Sequence, residues 1–160
     1  MNNEEQRYER VRLGKPPIIE AYVFDLDGTL ADPSHRLHYI QRRPKDWRSF
    51  YASVSQDAPI EHMCRLAVAL SHRPIVFVSG RSDECREATE AWLDLHLFRR
   101  TLYMRKEGDH REDSIVKMEL LAAMRADGLE PIMVFDDRTR VVNAWREAGV
   151  PCAQVAPGDF

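Results

Sequence analysis

Cysteine, glycine and long apolar runs are scarce in this sequence and an excess of positive charge is missing, and each shortage closes off a class of protein. The 160 residues hold 3 cysteines, Cys64, Cys85 and Cys152. They are odd in number, far apart and never form a Cys-x-x-Cys pair, which speaks against a disulfide framework, a zinc module and a redox dithiol. A reducing, cytoplasmic setting fits them. Glycine and proline number only 7 and 9 against 44% hydrophobic residues, so the chain is neither low-complexity nor disordered. Apolar runs such as 75–78 are strand-sized, well short of the roughly 20 residues a membrane helix needs. Residues 1–15 mix Glu4, Glu5 and Glu9 with arginines and lack the apolar stretch of an export signal. No membrane partner is expected. Lys+Arg total 23 against 26 Asp+Glu, a net charge of −3. Any contact with nucleic acid must then come from a local patch.

What is present is an alternation of short apolar runs and helical patterns. Ile18-Ile19 and Tyr22-Val23-Phe24 read as a first strand ending at Asp25, 74–78 as a second ending at Ser79-Gly80, and 101–104 as a weaker third. Residues 131–135 form a fourth ending at Asp136-Asp137, and 151–156 a fifth. Runs apolar on both sides indicate strands covered on both faces. Helical stretches lie at 60–71 (Met63, Leu66, Ala67, Leu70), 83–96 (Ala88, Trp92, Leu95), 114–126 (Ile115, Met118, Leu121, Met124) and 138–148 (Val141, Val142, Trp145). The expected fold is α/β, a Rossmann-like central parallel sheet with helices on both faces. Residues 1–16 read as an amino-terminal arm, and 17–160 as one domain. The connection at 32–58 is too long for an ordinary loop. It is expected to form a small helical cap after the first strand, with helices at 35–41 and 46–55 split by Pro44.

Open parallel sheets bind ligands at the carboxyl ends of their strands. Those ends carry Asp25-Leu26-Asp27-Gly28-Thr29, Ser79-Gly80-Arg81 and Asp136-Asp137-Arg138, with Lys117 early in the helix before the fourth strand. Carboxylates so close repel unless a cation lies between them, and a hard divalent ion such as Mg²⁺ relieves that repulsion with oxygen ligands. Gly28 allows a tight turn that exposes N–H groups to an anion.

The ordered set Asp25-x-Asp27-Gly28-Thr29, Ser79, Lys117 and Asp136-Asp137 resembles the four motifs of the haloacid dehalogenase superfamily of phosphohydrolases. Within it, Val78-Ser79-Gly80-Arg81, Gly108-Asp109-x-Arg111-x-Asp113-x-x-Val116-Lys117, Asp136-Asp137-Arg138-Thr139 and the ending Gln154-Val155-Ala156-Pro157-Gly158-Asp159-Phe160 are similar to the 3′-phosphatase domains of bacteriophage polynucleotide kinase/phosphatases. The resemblance implies a haloacid dehalogenase-like domain over 17–160, and it implies roles. Asp25 would attack phosphorus and Asp27 would handle the leaving-group proton. Ser79, Gly80, Lys117 and Thr29 would hold phosphoryl oxygens, with Arg36 and Arg81 as further phosphate contacts. Asp25, Asp27, Asp136 and Asp137 would hold Mg²⁺, and Asp113, one turn before Lys117, would orient it. The substrate would be a phosphorylated nucleic-acid end or a nucleotide, and a viral chain would work in the host cytoplasm. No P-loop accompanies these motifs, since Gly14-Lys15 is followed by Pro16, so no kinase activity is expected.

Blander readings stand beside these. Asp-Gly after a strand is a common turn, and Asp113, Asp137 and Ser79 could serve helix N-termini. Arg36 and Arg81 could be surface arginines. Trp47, Phe50, Tyr51 and Val54 are better read as packing the cap than as stacking bases. The cap is nonetheless basic: Arg36, Arg42, Arg43, Lys45 and Arg48 face a single acid, Asp46, and Arg105 and Lys106 could extend that rim. Two other functions remain open, a small-molecule phosphatase such as a nucleoside 5′-monophosphatase and a non-catalytic phosphate- or nucleic-acid-binding module.

Overall fold

The apolar runs become five parallel strands, and the order in which the chain lays them down puts the first in the middle. In the computed structural model, which describes residues 17–158 with Glu5, Glu9 and 12–14, the sheet runs β5-β4-β1-β6-β7. Its strands are β1 (Ile19–Phe24), β4 (Ile75–Ser82), β5 (Thr101–Arg105), β6 (Leu129–Asp136) and β7 (Cys152–Gln154). The amino-terminal arm expected over 1–16 lies, apart from those five positions, outside the described residues, as do Asp159 and Phe160. After β1 the chain moves to β4 and β5 on one side, then crosses to β6 and β7 on the other. The carboxyl end of β1 is therefore the point where the winding reverses, the place at which open α/β sheets bind their ligands.

Both faces of the sheet are covered. On one, Phe24, Phe77 and Leu102 pack against Met63, Cys64 and Ala67 of α3 (Glu61–Ala69) and against Trp92 and Leu93 of α4 (Arg86–His96). On the other, Val23, Val76 and Val134 meet Leu121 and Met124 of α5 (Asp113–Ala126) and Val141, Val142 and Trp145 of α6 (Thr139–Glu147). Pro131 offers no N–H to β1, and the ladder shifts register between Ala21 and Tyr22 beside it.

Several expectations are refined. β4 does not stop at Gly80 but continues to Ser82, with an irregularity against β5 that leaves Gly80 and Arg81 between paired positions. Leu95 is 76% exposed and Ile115 is 47% exposed, so neither lies on its helix's core stripe. In α4 the inward residues are Thr89, Trp92 and Leu93, and in α5 they are Val116, Lys117, Leu121 and Met124. A pattern of apolar residues cannot find a face whose key member is a buried lysine.

The insertion after β1 is more finely divided than the two helices the sequence suggests. A 3-10 turn at Ser34–Arg36, α1 (His38–Gln41), α2 (Trp47–Ala52) and a 3-10 turn at Val54–Gln56 follow one another. Asp46 caps α2 by accepting the Ser49 N–H at 3.0 Å. The two ends of the insertion are tied by an antiparallel ribbon of β2 (Ala31–Asp32) with β3 (Ala58–Pro59). Phe50 and Val54 are buried and pack the insertion onto the body, as expected, whereas Trp47 is 38% exposed. Among the described residues, no helix is long and apolar enough to cross a membrane.

Candidate active site

The last residue of β1 hands the chain to a turn built around one carbonyl. Leu26 O accepts the N–H groups of Thr29, Leu30 and Ala31 at 3.1, 2.8 and 2.9 Å. Gly28 sits at φ +85°, and a Cβ there would collide with the Asp137 carboxylate, so only glycine fits. The turn sets Asp25 and Asp27 at the point where the winding reverses.

Asp25 joins Asp136, the last residue of β6, and Asp137, which follows it. All three carboxylates are buried and offer oxygens within 4.8 Å of one another. One lysine answers them. Lys117 Nζ donates to Asp25 Oδ1 at 2.5 Å and to Asp136 Oδ2 at 3.0 Å, and its side chain is fully buried. Burial alone would strip the lysine of its proton, but Asp136 and Asp25 outweigh it and hold the ammonium charged. The carboxylates are less comfortable. Burial pushes the Asp25 carboxyl well up, with Asp136 and Asp137 adding repulsion. Burial and Asp136 raise Asp137 to about 6. A dry group of three acids with one cation suits a further divalent cation with oxygen ligands.

A second cluster adjoins the first. Asp27 Oδ1 accepts Arg36 Nη2 at 2.6 Å and Arg81 Nε and Nη2 at 2.9 and 2.5 Å. Both arginines are also held by Asp57, at 2.7 and 2.8 Å from Arg36 Nε and Nη2 and at 2.6 Å from Arg81 Nη2. His35 Nε2 lies 2.9 Å from Asp57 Oδ1, and Trp92 Nε1 donates to the Asp57 carbonyl at 2.7 Å. Burial would raise the Asp27 carboxyl, but Arg81 and Arg36 overcome it and hold it below its usual range. Two acids thus face two guanidiniums. The sequence reading makes Asp27 a metal ligand; its side chain stands outside the group of three, engaged by the arginines, and its backbone carbonyl is the other oxygen it could offer a cation.

Arg36 and Arg81 are buried rather than exposed on a rim, and Arg36 stacks 4.2 Å above the Phe50 ring. Asp57 is the member that sequence reasoning missed. It sits in no motif, and only the β2–β3 ribbon brings it back beside the turn after β1. The one available signal was an acid at the end of an insertion whose other end carries Arg36.

The remaining candidates are placed as follows. Ser79 is buried, and its Oγ accepts the Arg81 N–H at 3.2 Å; the N-cap role belongs to Ser82, which accepts the Glu84 N–H at 3.3 Å. Gly80 presses so closely on the Asp113 carboxylate that a Cβ would collide with it. Asp113 itself accepts Arg105 Nη2 at 3.1 Å and pairs with Arg138 Nη1 at 3.6 Å. It acts on Lys117 through its charge and makes no hydrogen bond to it among those the structure gives. The Thr29 Oγ1 and Arg36 Nη1 atoms are buried without a hydrogen-bond partner. Arg105 does not extend a basic rim: it is tied to the carbonyls of Gly80, Asp109 and Arg111 at 2.7, 3.2 and 2.7 Å. Lys106 pairs with Asp83 at 3.5 Å. His35, His38 and His110 are exposed. The three cysteines are free and buried, and burial pushes the Cys64 and Cys152 thiols up to about 11 and about 12.

Residues 19–160 match the family described as the polynucleotide kinase PNKP phosphatase domain. A protein of Autographa californica nuclear polyhedrosis virus, described as a bifunctional polynucleotide kinase/RNA ligase, is 33% identical over 136 residues, which is 82% of this chain and 18% of the viral one. A chain in the structure of the Pnkp1/Rnl/Hen1 RNA repair complex superposes with a TM-score of 0.74 at 30% identity, over 89% of this chain and 44% of that one. The chain thus spans less than half the length of these relatives. A haloacid dehalogenase-like hydrolase from Streptococcus pneumoniae shares the fold at a TM-score of 0.59 and 17% identity, covering 86% of this chain and 84% of the other.

Proposed function

The chain belongs to the polynucleotide kinase PNKP phosphatase-domain family, and from that premise we propose that it is a Mg²⁺-dependent phosphomonoesterase acting on 3′-phosphorylated nucleic-acid ends or 3′-nucleotides. The observation that carries this reading is Asp25, a buried carboxylate bonded to Lys117 and crowded by Asp136 and Asp137 at the point where the sheet's winding reverses. Asp25 attacks phosphorus and the ester oxygen leaves, giving an aspartyl-phosphate that water then hydrolyses. Asp27, which takes up a proton from solvent once the arginines release it, gives that proton to the leaving oxygen and takes one back from the attacking water. Before that, the grip of Arg36 and Arg81 on Asp27 must loosen, and the oxygens of a bound phosphate compete for the same N–H groups. Lys117, Ser79, the Gly80 N–H and Thr29 hold the oxygens of the transferring group, the orphaned Thr29 hydroxyl being one donor without a protein partner. Asp113 steadies Lys117 through its charge.

Asp25, Asp136 and Asp137 would hold Mg²⁺, which when bound offsets the charge of phosphate and carboxylates together. Residues 17–160 act as one phosphatase domain, with 32–58 as its cap and no kinase activity. The three buried free thiols suit a cytoplasmic setting, the host's if the chain is viral.

The test is phosphate release with Mg²⁺ from a 3′-phosphorylated oligonucleotide, a 5′-phosphorylated one, a 3′-mononucleotide and a 5′-mononucleotide. Release from the 3′-phosphates, abolished by Asp25→Asn and by EDTA, is expected. Preference for the 5′-mononucleotide would overturn the substrate, and release that survives Asp25→Asn would overturn the mechanism.

A further inference from the structure

Most exposed arginines of the body pair with an acid, as Arg65 does with Glu61, Arg99 with Asp94, Arg111 with Glu119, Arg125 with Glu130 and Arg140 with Glu112, while Arg73, Arg100 and Arg146 have no carboxylate partner among the described residues and are scattered along the chain. The outer face of the insertion is different. Arg43, Lys45 and Arg48 are exposed there and have no carboxylate partner among the described residues. The one nearby acid, Asp46, is already engaged by Arg42 and by the Ser49 N–H. Unpaired cations have gathered on one small element of a chain whose net charge is −3.

The same insertion exposes an aromatic ring. Trp92 and Trp145 are 2% and 0% exposed, whereas Trp47 is 38% exposed. Lys45 Nζ stands 5.3 Å from the Trp47 ring centroid. The Trp47 ring lies within 22° of parallel to that of Tyr51, at 5.8 Å between centroids. Tyr51 is half-buried and near enough to Arg105 and Asp27 for their charges to act on its hydroxyl. The aromatic pair thus joins an exposed ring to one packed against the core of the body. Val54 and Tyr51 pack the insertion onto the body's core, and Trp47, edge-on to Phe50 at 5.8 Å, still keeps more than a third of its surface in solvent.

We propose that this face of the insertion is a platform for single-stranded nucleic acid, with Trp47 stacking a base and Arg43, Lys45 and Arg48 holding backbone phosphates. This rests on the phosphatase reading and deepens it, because it makes a polymer end, rather than a mononucleotide, the preferred substrate. Interleaved aromatic and basic side chains bind single strands in this way, because every base offers a face to stack whatever its sequence.

The experiment uses 3′-phosphorylated oligo-dT and oligo-U, with 4-nitrophenyl phosphate as the small comparator. In Trp47→Ala and in the triple variant Arg43→Gln/Lys45→Gln/Arg48→Gln, the ratio of kcat/KM on oligonucleotide to that on the aryl phosphate should fall about tenfold. Binding is read separately, from the fluorescence anisotropy of the same oligonucleotides carrying a 5′-fluorescein and ending in 3′-hydroxyl. Trp47→Ala should weaken this binding about tenfold, and Trp47→Phe should weaken it less. The salt slope of binding should be about −2, as three phosphate contacts on a single strand give. An unchanged kcat/KM ratio in folded variants would overturn the platform while leaving the phosphatase reading intact. If only the aryl phosphate is hydrolysed, the 3′-end reading fails, and the anisotropy arm still decides: binding that Trp47→Ala weakens supports the platform, and no binding, or equal binding by all the variants, overturns it. Weakening in the triple variant alone, with Trp47→Ala binding normally, would leave a polyanion surface and overturn the stacking.

Discussion

Two charged clusters lie side by side at the end of β1, and they differ in their sums. Around Lys117 three carboxylates share one cation, whereas around Arg36 and Arg81 two carboxylates meet two cations. Both are buried, so neither can rely on water to screen its charge. The unequal cluster raises the carboxyls of Asp25 and Asp137, while the equal one lowers that of Asp27. The first is built to receive more positive charge, and the second is already complete. Its completeness fixes the root of the insertion to the turn after β1, through Arg36 and Asp57.

Removing Asp25 should break the contrast most severely. Asp25→Asn leaves Lys117 bonded to Asp136 but takes away the nucleophile, and turnover of a 3′-phosphorylated oligonucleotide should fall about 10³-fold or more in a phosphate-release assay. Next in size is the equal cluster. Asp57→Ala strands two buried guanidiniums on a single remaining acid and should cost about 3–5 kcal/mol. Thermal unfolding should read this as a midpoint lower by roughly 10 °C, while Asp57→Asn, which can still accept hydrogen bonds, should cost less.

A smaller effect distinguishes the two by pH. Asp137, held at about 6 by burial and Asp136, binds its proton more readily folded than unfolded. Metal-free protein should therefore gain about 1 kcal/mol as pH falls from 7.5 to 5. Asp27 acts in the opposite sense: its contribution is present above the unfolded value, about 3.9, and is lost only at lower pH. Unfolding midpoints across that range with EDTA should rise toward acid, and Mg²⁺ should flatten the trend. The smallest effect is expected at the surface. Arg111, paired in the open with Asp109 and Glu119, should change the midpoint by no more than about 1 °C when replaced by alanine.

The strands were legible because their residues are apolar on both sides, and the acids because they punctuate strand ends. Asp25, Lys117 and Asp136, up to 111 positions apart in the chain, could be grouped before any coordinates because strand-end geometry leaves them one crevice to share. Asp57 could not, since its place depends on the short β2–β3 ribbon, which has no hydrophobic pattern of its own. Ile115 shows the opposite failure. Its spacing with Met118 matches a core stripe, yet Lys117 takes the inward position because Asp25 and Asp136 stabilise its charge there. Arg36 and Arg81 were named from the sequence as phosphate contacts, but their burial was not legible: arginines ordinarily lie outside, and only a partner such as Asp57 lets them in.

The contrast between the clusters is tested most directly by calorimetric titration of Mg²⁺ into the wild type, Asp136→Asn and Asp57→Asn at pH 7.5. One ion per chain is expected for the wild type and for Asp57→Asn, with binding lost in Asp136→Asn. Equal binding by all three folded proteins, or none by the wild type, would contradict the assignment of the acid-rich cluster as the cation site.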